Sequence, residues 1–312
     1  MKAKLGVLAG FALVLIALFI FMDANGNWDY VLPRRGKKIL AIILTGGAIA
    51  FSTMVFQTIT NNRILTPSIM GLDSLYMLIQ TIVVFFFGST SLTMINKNVN
   101  FAISVSVMIL FSGLLYKFLF RREGQNVYFL LLVGIICGTF FQSMSSFMEV
   151  LIDPNEFQNL SDKMFASFNN VNTDLLNLSI VCFGAIILYF MKFTKYLDVL
   201  SLGRDAAVNL GVDYDFVVKR LLIVVAILIS IATALIGPIT FLGLLVANVA
   251  HQFLRTHKHS ILITGSILIS IIALVGGQLI VERVFTFSTT ISVIINFVGG
   301  VYFIYLLLKG KK

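Results

Sequence analysis

The sequence predicts an all-α polytopic membrane protein with about ten transmembrane helices and short helices on one aqueous side between the sixth and seventh spans. Three observations carry that expectation. Of the 312 residues, 58% are hydrophobic and only 12% are charged, and the mean hydropathy is +0.98, so a water-soluble fold would leave large apolar patches uncovered. The apolar residues fall into runs long enough to cross about 30 Å of hydrocarbon as helix. None of the runs alternates in the manner of a barrel strand, and backbone groups in lipid must be satisfied within their own segment.

The first run, residues 5–22, follows Lys2 and Lys4 and resembles a secretory signal. It is longer than a typical signal core and no small-x-small cleavage site follows, so it is read as a retained helix. Further spans are expected at 39–59, 69–87, 101–119, 127–148, 175–191, 216–236, 238–253, 260–281 and 290–308, giving a single transmembrane domain over 1–312. Gly237-Pro238 separates the seventh from the eighth, because proline lacks an N–H and clashes with the preceding turn.

Orientation follows from the basic residues. With the N-terminus inside, the outer side holds Arg34, Arg35, Lys37, Lys38, Lys97, Lys163 and Arg283, and the inner side holds the other 16 of the 23 Lys and Arg, Arg121, Arg122, Lys311 and Lys312 among them. That bias predicts both termini in the cytoplasm. The net charge of +9 is thereby explained by topology, since the cations cluster at the ends of apolar runs, and nucleic acid is not an expected partner. The cluster Arg34, Arg35, Lys37 and Lys38 runs against the rule. It reads either as a docking rim for an acidic partner or as side chains snorkelling to outer headgroups.

The polar stretch 197–220 is wedged between two apolar runs. Within it Leu202, Ala206 and Leu210 recur at helical spacing, and Gly203 and Gly211 are suited to ending or separating short helices. The stripe could be gripped by another protein or lie on the inner leaflet. In the fifth span Gly138, Gln142, Ser145, Ser146 and Glu149 form a small, polar face that avoids lipid, lining either a path or a helix contact. Gly134 and Gly138 also form a Gly-x-x-x-Gly pair suited to close packing.

Several kinds of chemistry find no support. There is no P-loop for nucleotide hydrolysis. Cys137 and Cys182 lie inside different spans, and His251, His257 and His259 have no carboxylate or thiol at ligand spacing, so no metal site is expected. Asp73 and Glu282 are both expected near an aqueous boundary, and an ion-coupled carrier or channel, which needs ionisable groups at mid-membrane, is the reading from a different class.

Four blocks together resemble the FecCD family of ABC transporter permeases. They are Leu32-Pro33-Arg34 with Gln57 and the turn from Asn62 to Pro67 and Gly71; the Leu202, Gly203, Ala206, Leu210, Gly211 element; the stretch from Gly237-Pro238 to Gly243-Leu244; and Gly299-Gly300 with Tyr302-Phe303 and Leu306-Leu307-Leu308. The sequence departs from the family pattern at Val31, Val246-Ala247-Asn248 and Ser288-Thr289-Thr290.

The resemblance implies an importer subunit in a bacterial cell membrane that transforms nothing chemically and binds no cofactor. ATP and Mg²⁺ would be handled by partner ATPase subunits gripping Leu202, Gly203, Arg204, Asp205, Ala206, Leu210 and Gly211. It further implies a binding protein, lipoprotein or periplasmic, docking on Arg34, Arg35, Lys37 and Arg283. A second permease, identical or related, would enclose a path beside Gly138, Gln142, Ser145 and Ser146. The implied cargo is a ferric siderophore, with haem or cobalamin as the alternative.

Overall fold

The computed structural model describes residues 2–22, 28–88, 96–119, 127–169 and 171–309. Arg121, Arg122, Lys311 and Lys312, which entered the charge count, lie outside the described residues. The described chain is helical: α1 (Lys2–Phe21), α2 (Trp28–Thr60), a 3₁₀ turn (Pro67–Met70), α3 (Leu72–Phe87), α4 (Lys97–Leu119), α5 (Val127–Leu151), α6 (Pro154–Met164) and α7 (Thr173–Phe190). It continues with α8 (Thr194–Leu200), α9 (Arg204–Asn209), α10 (Tyr214–Ile236), α11 (Leu242–Leu254), α12 (His259–Arg283) and α13 (Ile291–Lys309). Seven of these are long and apolar enough to cross a membrane, and Leu72–Phe87, Leu242–Leu254 and Ile291–Tyr305 are shorter apolar helices. Together they correspond to the ten expected spans.

Helix α2 is the hub. Most of its spanning stretch is buried, and α10, α11 and α12 all pack on it. Lipid chains are as apolar as leucine, so close van der Waals packing rather than water exclusion holds such helices together. Small residues permit it. A Cβ on Gly46 would lie 2.7 Å from both Leu274 Cδ1 and Ser270 Oγ of α12, and one on Gly243 of α11 would overlap Thr53 of α2. Helix α1 is peripheral, mostly exposed, and packs chiefly on α12.

Helix α2 begins at Trp28, well before the expected start at 39, and carries Pro33 inside it. Charged residues ended the apolar run, but charge does not end a helix once it has left the hydrocarbon. Helix α6 was not expected at all. Its signals are local: Asp153 caps it by accepting from Asn155 N at 2.9 Å, Pro154 follows at the first helical position, Glu156 lies in the first turn and Lys163 in the last.

The pair Gly134 and Gly138 marks a helix contact. A Cβ on Gly71 would come within 2.9 Å of Gly138 Cα, and one on Gly134 within 2.8 Å of Met70 Cα, so the turn leading into α3 presses its backbone onto α5. Gly71 also has φ +79°, which a side chain would strain. Gly138→Leu is therefore expected to wedge α3 from α5 and destabilise the chain by about 1–3 kcal/mol or more. A lower unfolding midpoint in detergent checks this, and an unchanged midpoint would refute the contact.

The break between α10 and α11 comes where Gly237-Pro238 predicts it. Gly237 has φ +98° and its N–H closes α10 onto Thr233 O at 2.8 Å. The freed groups find partners: Ile236 O accepts from Ser167 N at 2.9 Å, and Phe241 N donates to Asn296 Oδ1 at 3.3 Å. Helix α11 starts at Leu242, four residues later than expected, and at 13 residues is only about 20 Å long.

Candidate functional site

Contacts sort the loops onto two faces. Lys4 Nζ donates to Phe253 O at 2.6 Å, and Gln252 Nε2 donates to the Tyr302 hydroxyl at 2.8 Å. The start of α1, the end of α11 and the C-terminal half of α13 thus share one face, here called the terminal face. Asp198 of α8 belongs to it as well, accepting from His259 N at 2.9 Å and lying 2.7 Å from its Nδ1. Partial burial works to raise the Asp198 pKa; the hydrogen bonds and charge of His259, with Lys258 beyond, outweigh it and hold the carboxyl below its usual range. A cavity of about 560 Å³ opens beside this pair, lined by Gln57, Arg63, Leu202, His251 and His257.

The polar segment on this face is two short helices, α8 and α9. Gly203 (φ +98°) separates them and Gly211 (φ +82°) ends the second. A single stripe through Leu202, Ala206 and Leu210 is therefore not formed: Leu202 lies in the linker, Ala206 in α9 and Leu210 at its C-cap. The positive φ at Gly203 interrupts the helical phase on which that stripe depended. Exposed apolar surface nonetheless remains. Leu202 and Leu210 are each 63% exposed and Val208 is 48% exposed, whereas Ala207 is fully buried and anchors α9. Arg204 approaches Asp215 at 3.9 Å and stacks on Tyr214, fastening α9 to the start of α10; Asp205 stands in the first turn of α9, where the helix dipole favours a carboxylate.

The opposite face carries the basic rim, and the structure divides its members. Arg34 is exposed and donates to the Tyr30 hydroxyl at 2.9 Å, and Lys37 is exposed beside it. Arg35 instead donates to Phe19 O, Ile20 O and Met22 O at 2.6–3.1 Å, capping the C-terminal carbonyls of α1. Arg283 is exposed but also reaches Met22 O at 3.1 Å. Two of the four expected docking cations therefore help close α1.

Lys38 was counted as a loop charge and is buried. Its Nζ lies 2.7 Å from Glu282 Oε1 and 3.0 Å from Asn169 Oδ1, while Gln278 Nε2 donates to the same two acceptors at 3.0 and 3.2 Å. The network ties α2, α12 and the chain between α6 and α7 into one block, with Phe287 stacked over the ammonium. Spacing could have found half of it, since Gln278 and Glu282 sit at i, i+4. The pairing with Lys38, 244 residues away in sequence, carries no local signal.

The four expected path residues also separate. Gly138 is packed on Gly71, and Ser145 is fully buried, 2.7 Å from the Thr81 hydroxyl of α3 and donating to Glu149 at 2.8 Å. Gln142 and Ser146 are exposed, and so are Thr139 and Ser143. These four sit at i, i+3, i+4 and i+7, one open polar stripe on α5. Gln142 and Ser146 of the expected face thus lie on this stripe, while Gly138 and Ser145 lie at helix contacts.

Asp73 lies deeper than an aqueous boundary. Gly71 packs on Gly138, about half way along α5, and Asp73 receives Thr233 and Thr240 hydroxyls at 3.4 and 3.5 Å beside the α10–α11 break. Glu282, by contrast, is at the end of α12 as expected. Among the described residues no group of three His, Cys, Asp or Glu side chains could hold a metal ion.

Residues 5–309 match the model of the FecCD transport family. The chain belongs to that family. As a FecCD protein it is a permease subunit of an ABC transporter and not an enzyme. It is 68% identical over 311 residues to the petrobactin import system permease protein YclO of Bacillus subtilis, covering 100% of this chain and 98% of that one. It is also 25% identical to the petrobactin import system permease protein YclN of the same organism, covering 89% and 85%. A metal-chelate type ABC transporter solved in an inward-facing conformation superposes with a TM-score of 0.85 at 20% identity, covering 99% of both chains. That likeness shows the fold of ten or so membrane helices.

Proposed function

We propose that this FecCD permease translocates a ferric siderophore, of the kind the petrobactin relatives carry, in an importer with a paired permease, ATPase subunits and an extracytoplasmic binding protein. The observation that carries the reading is the 68% identity to YclO over the full chain. Haem and cobalamin are disfavoured on the same ground. The pair is a heterodimer with a related permease, as the two permease proteins of the B. subtilis petrobactin system suggest.

The terminal face is cytoplasmic in this reading. There the exposed Leu202, Val208 and Leu210 on and around α9 offer apolar contacts to an ATPase, which handles ATP and Mg²⁺. The open stripe Thr139, Gln142, Ser143 and Ser146 supports placing α5 on the path or on the seam with the second permease. An exposed glutamine is poorly suited to lipid, and either location relieves that cost. Asp73 no longer argues against ion coupling, being at mid-height; family membership does.

The binding protein docks on the opposite face, where Arg34 and Lys37 project. Arg34→Glu is expected to weaken docking about tenfold at low salt and less at high salt, because the contact is exposed and screened. Receptor affinity measured at two ionic strengths checks it, and an unchanged affinity at low salt assigns Arg34 to headgroups. The function itself is tested in proteoliposomes holding both permeases and the ATPase, with the binding protein and ⁵⁵Fe-loaded siderophore. Uptake is expected only with ATP. Equal uptake without nucleotide would overturn the reading.

A further inference from the structure

On the face opposite the termini, a cavity of about 460 Å³ lies between α3, α4, α6, the chain leading from α6 to α7, and the end of α10. That volume is within the range of small-molecule sites. Its polar lining is one-sided in charge. Lys97 and Lys163 both face it, accompanied by Asn100, Ser161, Ser167 and Asn172, and exposed Asp162 is the only carboxylate among the residues that line it.

Lys163 is partly buried, and among the described residues no ion pair holds it. Burial first, and then the charge of Lys97, push its pKa below the ordinary lysine range. A partly buried ammonium, Lys163, with the exposed Lys97 charge close by makes an environment that favours an incoming anion. Lys97 also lines a neighbouring cavity of about 470 Å³, together with Arg34 and Lys37, where Asp29 is the counter-charge. The cations of the rim and those of the deeper cavity thus share a member.

Iron(III) held by several anionic oxygen donors carries net negative charge once those donors outnumber its three positive charges. Such a chelate suits two lysines flanked by amides and hydroxyls. We propose that this cavity is a receiving site for the anionic face of an iron(III) chelate, with Lys97 and Lys163 as its cationic clamp. The proposal rests on the siderophore reading above and adds to it a charge class and two residues.

The test uses the intact importer, both permeases with the ATPase, in phosphatidylcholine nanodiscs without binding protein. The probe is the ⁵⁵Fe(III) tris-catecholate complex, an anion, set against neutral iron(III) tris-acetohydroxamate. Saturable, salt-sensitive binding of the anion is expected. Replacing both Lys97 and Lys163 with glutamine is expected to weaken it about tenfold or more, whereas Lys163→Arg retains it and binding of the neutral complex does not depend on the lysines. Should the double variant fail to assemble, Lys163→Gln alone is read the same way, with a smaller loss expected. Equal affinity of the anion for wild type and variant overturns the site. So does loss of probe binding when phosphatidylglycerol replaces part of the bilayer, which would assign the lysines to lipid headgroups. ATP-dependent siderophore uptake is measured in parallel, with the same proteins in sealed proteoliposomes supplied with binding protein. Its absence counts against the importer reading, while normal uptake with lysine-independent probe binding counts against this site alone.

Discussion

Replacing Gly203 with proline abolishes uptake, on this structure, while leaving the chain inserted in the membrane and the ATPase turning over. Gly203 sits between α8 and α9 at φ +98°, and nothing lies within 4 Å of where its Cβ would be. The effect therefore lies in the backbone, which also loses the Gly203 N–H bond to Leu200 O at 3.1 Å. Proline fixes φ near −65°, so the link between the two short helices must be rebuilt, and backbone strain of about 1–3 kcal/mol falls on a segment with few buried side chains to resist it. Alanine at the same place, which has the space but not the preferred φ, should lose less. Leu210→Asp reaches the same result by another route, placing a carboxylate in the exposed apolar patch with Leu202 and Val208. The measurement is iron taken up per ATP hydrolysed in proteoliposomes. Wild-type coupling in both Gly203→Pro and Leu210→Asp would remove the two short helices from the machinery.

The second large effect is at Lys38. Lys38→Met leaves Glu282, 11% exposed, without the ammonium 2.7 Å away. Breaking one side of a buried pair costs about 3–5 kcal/mol, and here it would also loosen the chain between α6 and α7, which Asn169 joins to the network. The double variant Lys38→Met, Glu282→Leu is expected to recover most of that loss, because Gln278 and Asn169 can still bond to each other at 3.2 Å. Unfolding midpoints in detergent for the two singles and the double form the cycle. If the double variant is no more stable than Lys38→Met, the pair is not the source of the loss.

What the sequence made legible was whatever depends on composition or local chemistry. Apolar length gave the spans, and Gly237-Pro238 gave the break, because a helix must end where its donor is missing. The elements that escaped fall outside those rules. Helix α2 runs on to Trp28 through charged residues that a hydropathy window discards, and α6 is a polar helix of 11 residues on the face opposite the termini. On α5 the sequence left two readings open, because small residues can signify either an opening or a tight contact. Gly138 and Ser145 turned out to be contacts, packed on Gly71 and Thr81, while Gln142 and Ser146 are open. The Lys38–Glu282 pair and the depth of Asp73 are products of tertiary arrangement. A turn that folds back into the bundle moves Asp73 away from the surface that its place in the sequence suggests.

The brevity of α11 bears on how the chain is made. Thirteen residues cannot reach across a bilayer, and an insertion apparatus that samples one emerging segment at a time would have little reason to leave this one in hydrocarbon. Its lodging depends on Thr53 of α2, already synthesised, and on α12, still to come. Biogenesis of this permease must therefore keep its early helices together, close to the exit of the translocon, until the ninth span arrives to seat the eighth.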